Sequence, residues 1–437
     1  MKRIAVLCSG GDSPGMNAAV AAIARSAGLY NMPLIGIIRG YNGVICKDSA
    51  MLDAFFDNAR RVVKGSKHDE NLLSQVETAV REEPEGTLPD IRPLLEKYRE
   101  EFALADTMDG FLERFPAYRS HMQELDRETI LDINNQPGTY LRTARCDDFR
   151  RAAVRLRAVI NLIAIGVEGL VVIGGDGSFQ GATLLCQMGM PCIGIPGTID
   201  NDLTYTEMTL GYDTAVNVCM HAVLQIRSTS RAHDRPHVVE VMGRQSGDIA
   251  LRTAMSTGAE ILLVREVKWS VDDVIRRMQT LIDDGNTRAT VVIAEGAYDS
   301  MEPFSLYSFL GPIYEKKNLK LPPDKQLRLW HEEPMSADRL AEVIKYKCHD
   351  AQGMPVEARA TVLGYTQRGE MPSAYDAMLG HQAGNMAVRL LMDNRQDMVI
   401  GIKEGRVYSL PISDMFKMQG LRDDYFDYAM YNLVNRQ

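Results

Sequence analysis

The sequence predicts an α/β protein of two lobes, with mostly parallel sheets flanked by helices and one mainly helical insertion. Three observations carry this reading. Short apolar runs recur without polar alternation, as strands buried on both faces do. Each run ends in a glycine-bearing turn. Helical segments alternate with the runs, and that alternation implies parallel sheets.

Taken in order, residues 4–8 (IAVLC) lead into SGGDSPGMNAAVAAIARSA, and 170–173 (LVVI) into GGDGSFQGATLL. Residues 192–195 (CIGI) lead into PGTIDND, and 238–242 (VVEVM) into GRQSGDIALRTAM. Residues 291–294 (VVIA) lead into EGAYD, and 360–363 (ATVL) into GYTQRGEMPSAYDAMLGHQAGNMAVRLL. Ligands of parallel sheets bind beyond the carboxyl ends of the strands, where all these turns lie. One site assembled from distant motifs is therefore expected. Two stretches break the pattern. Residues 52–130 are charge-rich, with i,i+4 opposite charges, and are expected to be mostly helical with no strong strand signal. Residues 300–355, with Pro303, Pro312, Pro322, Pro323 and Pro334, are expected to be irregular, anchored by Trp330.

A chain of 437 residues exceeds what one core usually serves, so two or more units are expected. The net charge of −9 argues against nucleic acid or an anionic membrane as main partner. Small anionic substrates need only a local cluster of arginines and backbone N–H groups. The seven cysteines form no C-x-x-C pair and are read as reduced thiols of a cytoplasmic protein. Ile4–Cys8 is too short for a secretory segment, and Asn161 and Glu168 interrupt the longest apolar stretch, so no membrane span is expected.

Four groups of residues carry chemistry. The turn Gly10-Gly11-Asp12 joins a strand to a helix, where backbone N–H groups and the helix dipole favour a phosphate; taken alone it is equally an ordinary tight turn. Gly174, Gly175, Asp176, Gly177 and Ser178 form a second such turn. A carboxylate in a phosphate loop is explained by a cation, and Mg²⁺ takes few protein carboxylates, so Asp176 is the candidate metal partner; an N-cap is the structural alternative. In Pro196–Asp202, Asp200 and Asp202 follow a buried strand. Phosphoryl transfer to an alcohol needs a base of this kind, whereas a solvated Asx-turn needs only the polarity. Finally, Arg145, Arg235, Arg244, Arg359 and Arg368 lie near strand ends, and guanidinium groups bind phosphate bidentately.

Together, SGGDSPGMNAA, GTYLRTARCDDFR, VVIGGDGSFQGA, GIPGTIDND, VVEVMGRQSGD, IAEG and RATVLGYTQRGE resemble the 6-phosphofructokinase family over most of the chain. The resemblance implies transfer of the γ-phosphoryl of MgATP to the 1-hydroxyl of fructose 6-phosphate. It places Gly11, Tyr41, Arg145, Cys146 and Gly174–Ser178 at the nucleotide, with Asp176 linked to Mg²⁺. Asp200 corresponds to the base, flanked by Thr198 and Asp202. Met242, Gly243 and Arg244 correspond to the sugar-phosphate turn, with Arg244 also at the transferring group. Glu295 corresponds to a ligand of sugar hydroxyls, Arg235, Arg359 and Arg368 to a clamp on the 6-phosphate, and Tyr365 stands where the family pattern has His. Arg235 and Arg359 match residues supplied by a neighbouring subunit, so a homo-oligomer, tetramer or dimer, is implied. The nucleotide lobe is expected over 1–211 plus about 366–410, the sugar-phosphate lobe over about 212–365 plus 411–437.

Pyrophosphate-dependent relatives carry Asp at the position of Gly177 and Lys at that of Gly197, so the two glycines favour ATP; Tyr365 leans the other way. A non-catalytic sugar-phosphate-binding subunit would be expected to lack Asp200 or Asp176, and both are present. In the effector site of short bacterial members, Arg25, Arg227 and Glu260 match. Ala21, Asp284 and Asn286 replace cations, which implies a weakened anion site.

Overall fold

The structure, a computed structural model, describes residues 3–134, 136–303 and 335–418. These fall into two compact units. Among the described residues, the first comprises 3–134, 136–198, 203–213 and 371–418, the second 199–202, 214–303 and 335–370.

The first unit is built on a seven-stranded sheet in the order β11-β10-β5-β4-β1-β2-β3. The strands are β1 (Ile4–Cys8), β2 (Leu34–Ile37), β3 (Met122–Glu124), β4 (Gly169–Gly174), β5 (Cys192–Pro196), β10 (Met398–Lys403) and β11 (Arg406–Pro411). Its five central strands are parallel, and each edge strand, β3 and β11, is antiparallel. Side chains of β1 alternate between two cores, as a strand's period of two requires. Ile4, Val6 and Cys8 face α1 (Met16–Leu29) and α13 (Ala374–Met392). Ala5 and Leu7 face α7 (Ala152–Ala164), α8 (Asp176–Gln187) and the inserted helices. Parallel register brings the ends of β1, β4 and β5 to one edge: Cys8 is opposite Ile173, and Gly174 is opposite Pro196.

The inserted helices are α2 (Ser49–Val62), α3 (Lys67–Glu82), α4 (Arg92–Tyr98), α5 (Met108–Arg114) and α6 (Arg127–Ile133). The largely helical expectation for 52–130 is met with one correction. Met122–Glu124 pairs antiparallel with β2, three residues being too few for alternation to register in the sequence. The insertion is core rather than surface filler. Phe55, Phe56, Phe102, Phe111, Phe115 and Tyr118 are all buried, each stabilising by roughly 2–3 kcal/mol. Asp69, buried on α3, accepts from Lys97 Nζ at 3.1 Å and Tyr98 OH at 2.9 Å and so ties α3 to α4.

The second unit has a parallel four-stranded sheet, order β7-β8-β6-β9. Its strands are β6 (His237–Val241), β7 (Ile261–Leu263), β8 (Thr290–Ala294) and β9 (Arg359–Val362). Helices α9 (Tyr212–His233), α10 (Asp248–Thr257), α11 (Val271–Asp283) and α12 (Ala337–Lys347) accompany it. The last corrects the irregular expectation for 300–355. Ser336 caps the helix, and Leu340, Val343 and Ile344 supply a buried face in the run between Pro334 and Pro355. Pro312, Pro322, Pro323, Trp330 and Pro334 lie outside the described residues.

The unit boundaries depart from the expected ones at three places. Ile199–Asp202 belongs to the second unit. Residues 366–370 stay with it too, since Gln367 is bonded to Met242 and Cys219. Residues 411–418 belong to the first unit, because β11 pairs with β10 and α14 (Ile412–Lys417) buries Ile412 and Met415 in the first unit's core.

Candidate active site

In the first unit, three turns and one loop share the carboxyl edge of the sheet. After β1, Ser9 N–H donates to Ile173 O at 2.9 Å, and Gly10 takes φ +93, so the backbone turns at once toward α1. Thr143 Oγ1 donates to Gly10 O at 2.8 Å, and Asn42 Nδ2 donates to Arg145 O at 3.1 Å. The first bond tethers the loop carrying exposed Arg145 and half-buried Cys146 to the turn that holds Gly11, and the second ties it to the turn Gly40–Gly43 after β2.

After β4, Gly175 caps α8 without a side-chain bond. Asp176 is thus the first helical residue rather than the N-cap, and its carboxylate sits at the positive end of a 12-residue helix. Gly174 cannot be replaced cheaply, since a Cβ there would stand 2.6 Å from Ser9 O. Gly177 differs. A Cβ on it meets no protein atom within 4 Å, and the residue is exposed. Thr198 follows β5, and its carbonyl accepts from Thr209 Oγ1 at 2.6 Å. Tyr41 is buried, stacks on Phe149 with centroids 4.1 Å apart, and donates its hydroxyl to Ser178 O at 2.6 Å. It braces the first turn of α8, and burial raises its pKa well above the ordinary phenol value.

In the second unit, the carboxyl ends of β6, β8 and β9 present Met242-Gly243-Arg244, Glu295 and Arg368 respectively. Gly243 takes φ +122, and its carbonyl accepts from Gly296 N at 3.1 Å. A Cβ on Gly296 would collide with Arg244 O, so this close approach fixes the shape of the turn. Tyr365 is 82% exposed in the turn after β9. Asp200 is half-buried, and its pKa is pushed up to about 6. Burial is the main cause, Asp202 and Glu295 add repulsion, and Arg368 opposes them. Asp200, Asp202, Glu295 and Arg368 thus come together as charges that feel one another.

Arg235 and Arg359 do not join that group. Arg359 opens β9 opposite His237, and Arg235 precedes β6. Both therefore stand at the amino edge of the sheet, roughly 15 Å of strand away from Arg244. There they share Glu357, at 2.6 and 3.6 Å.

Residues 3–77 and 91–391 match the family model described as phosphofructokinase. The chain belongs to the phosphofructokinase family. Among curated proteins it is 33% identical to the ATP-dependent 6-phosphofructokinase 1 of Clostridium perfringens, over the full length of both chains. It is 32% identical to the ATP-dependent 6-phosphofructokinase of Alkaliphilus metalliredigens, over 97% of this chain and 96% of that one. Among solved structures, a Pichia pastoris phosphofructokinase described in its T-state aligns with TM-score 0.66 at 25% identity. That match covers all of this chain and 39% of the yeast one, so the chain spans well under half of the yeast length. A pyrophosphate-dependent phosphofructokinase from Marinobacter aquaeolei aligns with TM-score 0.59 at 16% identity, over 100% and 91% of the two chains, and shows the shared fold.

The phosphofructokinase motifs named Asp200 and Arg368 but passed over the residues that hold them. Gln367, fully buried, accepts from Met242 N at 3.1 Å and Cys219 Sγ at 3.0 Å, and donates to Gly364 O at 3.0 Å. One amide thus joins the turns after β6 and β9 to α9. Its only sequence signal is a glutamine beside an arginine in a glycine-flanked turn. Asn201 and Asp248 were likewise not singled out by the sequence.

Proposed function

We propose that the chain is an ATP-dependent 6-phosphofructokinase. It transfers the γ-phosphoryl of ATP to the 1-hydroxyl of fructose 6-phosphate, giving fructose 1,6-bisphosphate and ADP. The carrying observation is Asp200, a half-buried carboxyl poised near 6 beside Arg368 and Glu295. A base of that pKa is ionised at neutral pH and still basic enough to take a proton from an alcohol as the new bond forms.

The transfer is direct and in line, with no covalent enzyme intermediate. Asp200 accepts the hydroxyl proton while Thr198 and Asp202 flank it. Arg145, Arg244 and the backbone N–H groups at Gly11 and at the start of α8 offset negative charge on the phosphoryl oxygens. Met242, Gly243, Arg244 and Arg368 receive the sugar phosphate, and Glu295 accepts from its hydroxyls. Among the described residues no three ligating side chains cluster, and Asp176 stands at a helix start beside open space. That donor set fits Mg²⁺, which takes one or two carboxylates with water and substrate phosphates. Asp176 would hold the ion, which supplies charge neutralisation when bound.

Donor choice follows from two glycines. Gly177 leaves room for a nucleotide α-phosphate. At Gly197 a Cβ points at Ile173 Cγ2, 2.8 Å away, and Met16 Cε, 2.9 Å away, so a lysine there has no open path. Purified protein supplied with Mg²⁺ and fructose 6-phosphate turns over with ATP and not with pyrophosphate. Turnover with pyrophosphate alone would reverse the assignment of donor.

The protein works in the cytoplasm as a homo-oligomer, a dimer or tetramer, in which Arg235 and Arg359 of one copy complete the 6-phosphate clamp of another. Their place at the sheet's amino edge, remote from Arg244 in the same chain, supports this. Mixed oligomers of Asp200→Asn chains and Arg359→Ala chains regain turnover that neither parent has, because some sites then hold both native residues. Mixtures no more active than their parents argue for self-sufficient sites.

The counterpart of the ADP or phosphoenolpyruvate effector site is closed to anions. Arg227 is bound bidentately to Glu260, at 2.9 and 3.0 Å, and Asn286 Nδ2 and Thr290 N also donate to that carboxylate. With Ala21, Asp284 and Asn286 adding no cation, ADP activates little at subsaturating sugar phosphate. Strong ADP activation abolished by Arg25→Ala would contradict this.

A further inference from the structure

Asp200 and Asp202 flank a residue in an unusual conformation. Asn201 takes φ 48, in the left-handed region that non-glycine residues seldom occupy and asparagine tolerates best. It is 3% exposed, and its Nδ2 donates to Asp248 Oδ2 at 2.9 Å. Asp248 is 1% exposed and is the first residue of α10. The rest of its setting is equally specific. Its N–H donates to Ser246 Oγ at 3.3 Å, Arg252 Nε approaches its other oxygen at 3.5 Å, and the preceding Gly247 N–H is held by Glu266 at 2.7 Å.

We infer that Asp248 is a positioning residue for phosphoryl transfer, clamping Asn201 in its left-handed turn so that the carboxylates on either side are aimed as a pair. Two features of the geometry carry this. A left-handed residue reverses the chain locally, so releasing Asn201 to the β or right-handed region would redirect both Asp200 and Asp202. And the hydrogen bond to Asp248 Oδ2 lies in a buried place where water cannot substitute for it. Asp248 is also only six residues past Met242, on the segment that forms the sugar-phosphate turn. One buried carboxylate therefore links the turn that receives the substrate to the turn that carries the base. The inference rests on the reading of Asp200 as base.

The test uses Asp248→Ala, Asp248→Asn and Asn201→Gly in the full chain. Glycine accepts the left-handed backbone but loses the tether, so that variant stays folded if Asp248→Ala does not. Loss of aim by about 1 Å is expected to lower kcat roughly 100-fold in Asp248→Ala and Asn201→Gly, with less than about threefold change in KM for fructose 6-phosphate. Asp248→Asn keeps an acceptor oxygen and should recover at least about tenfold of that loss. Because the two residues act as one clamp, the double variant should be no worse than either single one. Unchanged kcat, a loss confined to KM, or additive losses would overturn the clamp.

A second readout needs no turnover. Replacing half-buried Asp200 by Asn at pH 8 should raise Tm by about 3 °C in the parent chain. In the Asn201→Gly background, where Asp200 is free to reach water, the rise should vanish. A rise that persists there refutes the clamp even if the chain proves not to be a kinase. A parent without activity on ATP and fructose 6-phosphate refutes the functional reading instead and leaves this thermal cycle to judge the clamp.

Discussion

Asp200→Asn loses turnover by about a thousandfold and melts at a higher temperature than the parent. The first effect is chemical. Asparagine matches aspartate in shape but cannot take the proton of the attacking hydroxyl, and a positioned base contributes about 10²–10⁴-fold. Binding of fructose 6-phosphate persists, since Arg244, Arg368 and Glu295 are untouched. The second effect is thermodynamic and opposite in sign. A carboxyl held near 6 in the folded chain, against 3.8 when exposed, destabilises the fold once ionised, by up to about 3 kcal/mol. Well below 3.8 the group is protonated in both states and contributes no penalty. Stability falls as pH rises from 3.8 to 6, and the loss stays constant above that.

The gain in Asp200→Asn is therefore small at pH 4, grows between 4 and 6, and levels off toward pH 8. Thermal melts across that range, paired with steady-state rates, check both halves. Activity carries the same signature. The base is protonated below about 6, so kcat/KM falls tenfold per pH unit there. Near-normal turnover in Asp200→Asn would remove the base assignment. A variant that is inactive but also unstable would show only that the substitution damages the fold. Loss of rate with gain of stability is the mark of a functional carboxylate held against its solvation preference.

The sequence made the sheets legible because parallel strands buried on both faces leave uninterrupted apolar runs, and IAVLC, LVVI and CIGI became β1, β4 and β5. It made the turns legible because close approach and positive φ select glycine, as at Gly10 and Gly243. The short strand β3 was hidden, since three residues carry no period. The helix α12 was hidden within a stretch judged by its prolines, although the five that marked it as irregular all precede Ala337. The reach of Arg235 and Arg359 could not be read from spacing. Only the register of β6 with β9 puts them at the edge opposite Arg244. The clamp formed by Gln367, and the pair Asn201–Asp248, lay beyond reach for another reason. A buried amide reveals its importance through its partners, and partners 47 to 148 residues away leave no local pattern.

Gly177→Asp destroys use of ATP while sparing both the fold and the sugar phosphate. A Cβ at 177 meets nothing, so the side chain enters open space without disturbing packing. A second carboxylate in the first turn of α8 also suits the helix dipole, worth about 0.3–1 kcal/mol, so Tm holds or rises slightly. The damage comes from charge. At about 4 Å from a phosphate oxygen, with an effective dielectric near 20, one added negative charge costs roughly 4 kcal/mol of binding. That corresponds to a fall of about 10³ in kcat/KM for ATP. Gly177→Ala separates bulk from charge: alanine adds the Cβ alone and should keep most of the ATP activity, whereas equal damage in both variants would assign the effect to shape. Affinity for fructose 6-phosphate, measured by equilibrium binding without nucleotide, should be the same in all three proteins, because Asp200, Arg244, Glu295 and Arg368 belong to the other unit. Unchanged ATP kinetics in Gly177→Asp would mean that the open space beside Asp176 is not where the nucleotide's phosphates lie, and the glycine argument for donor choice would fall with it.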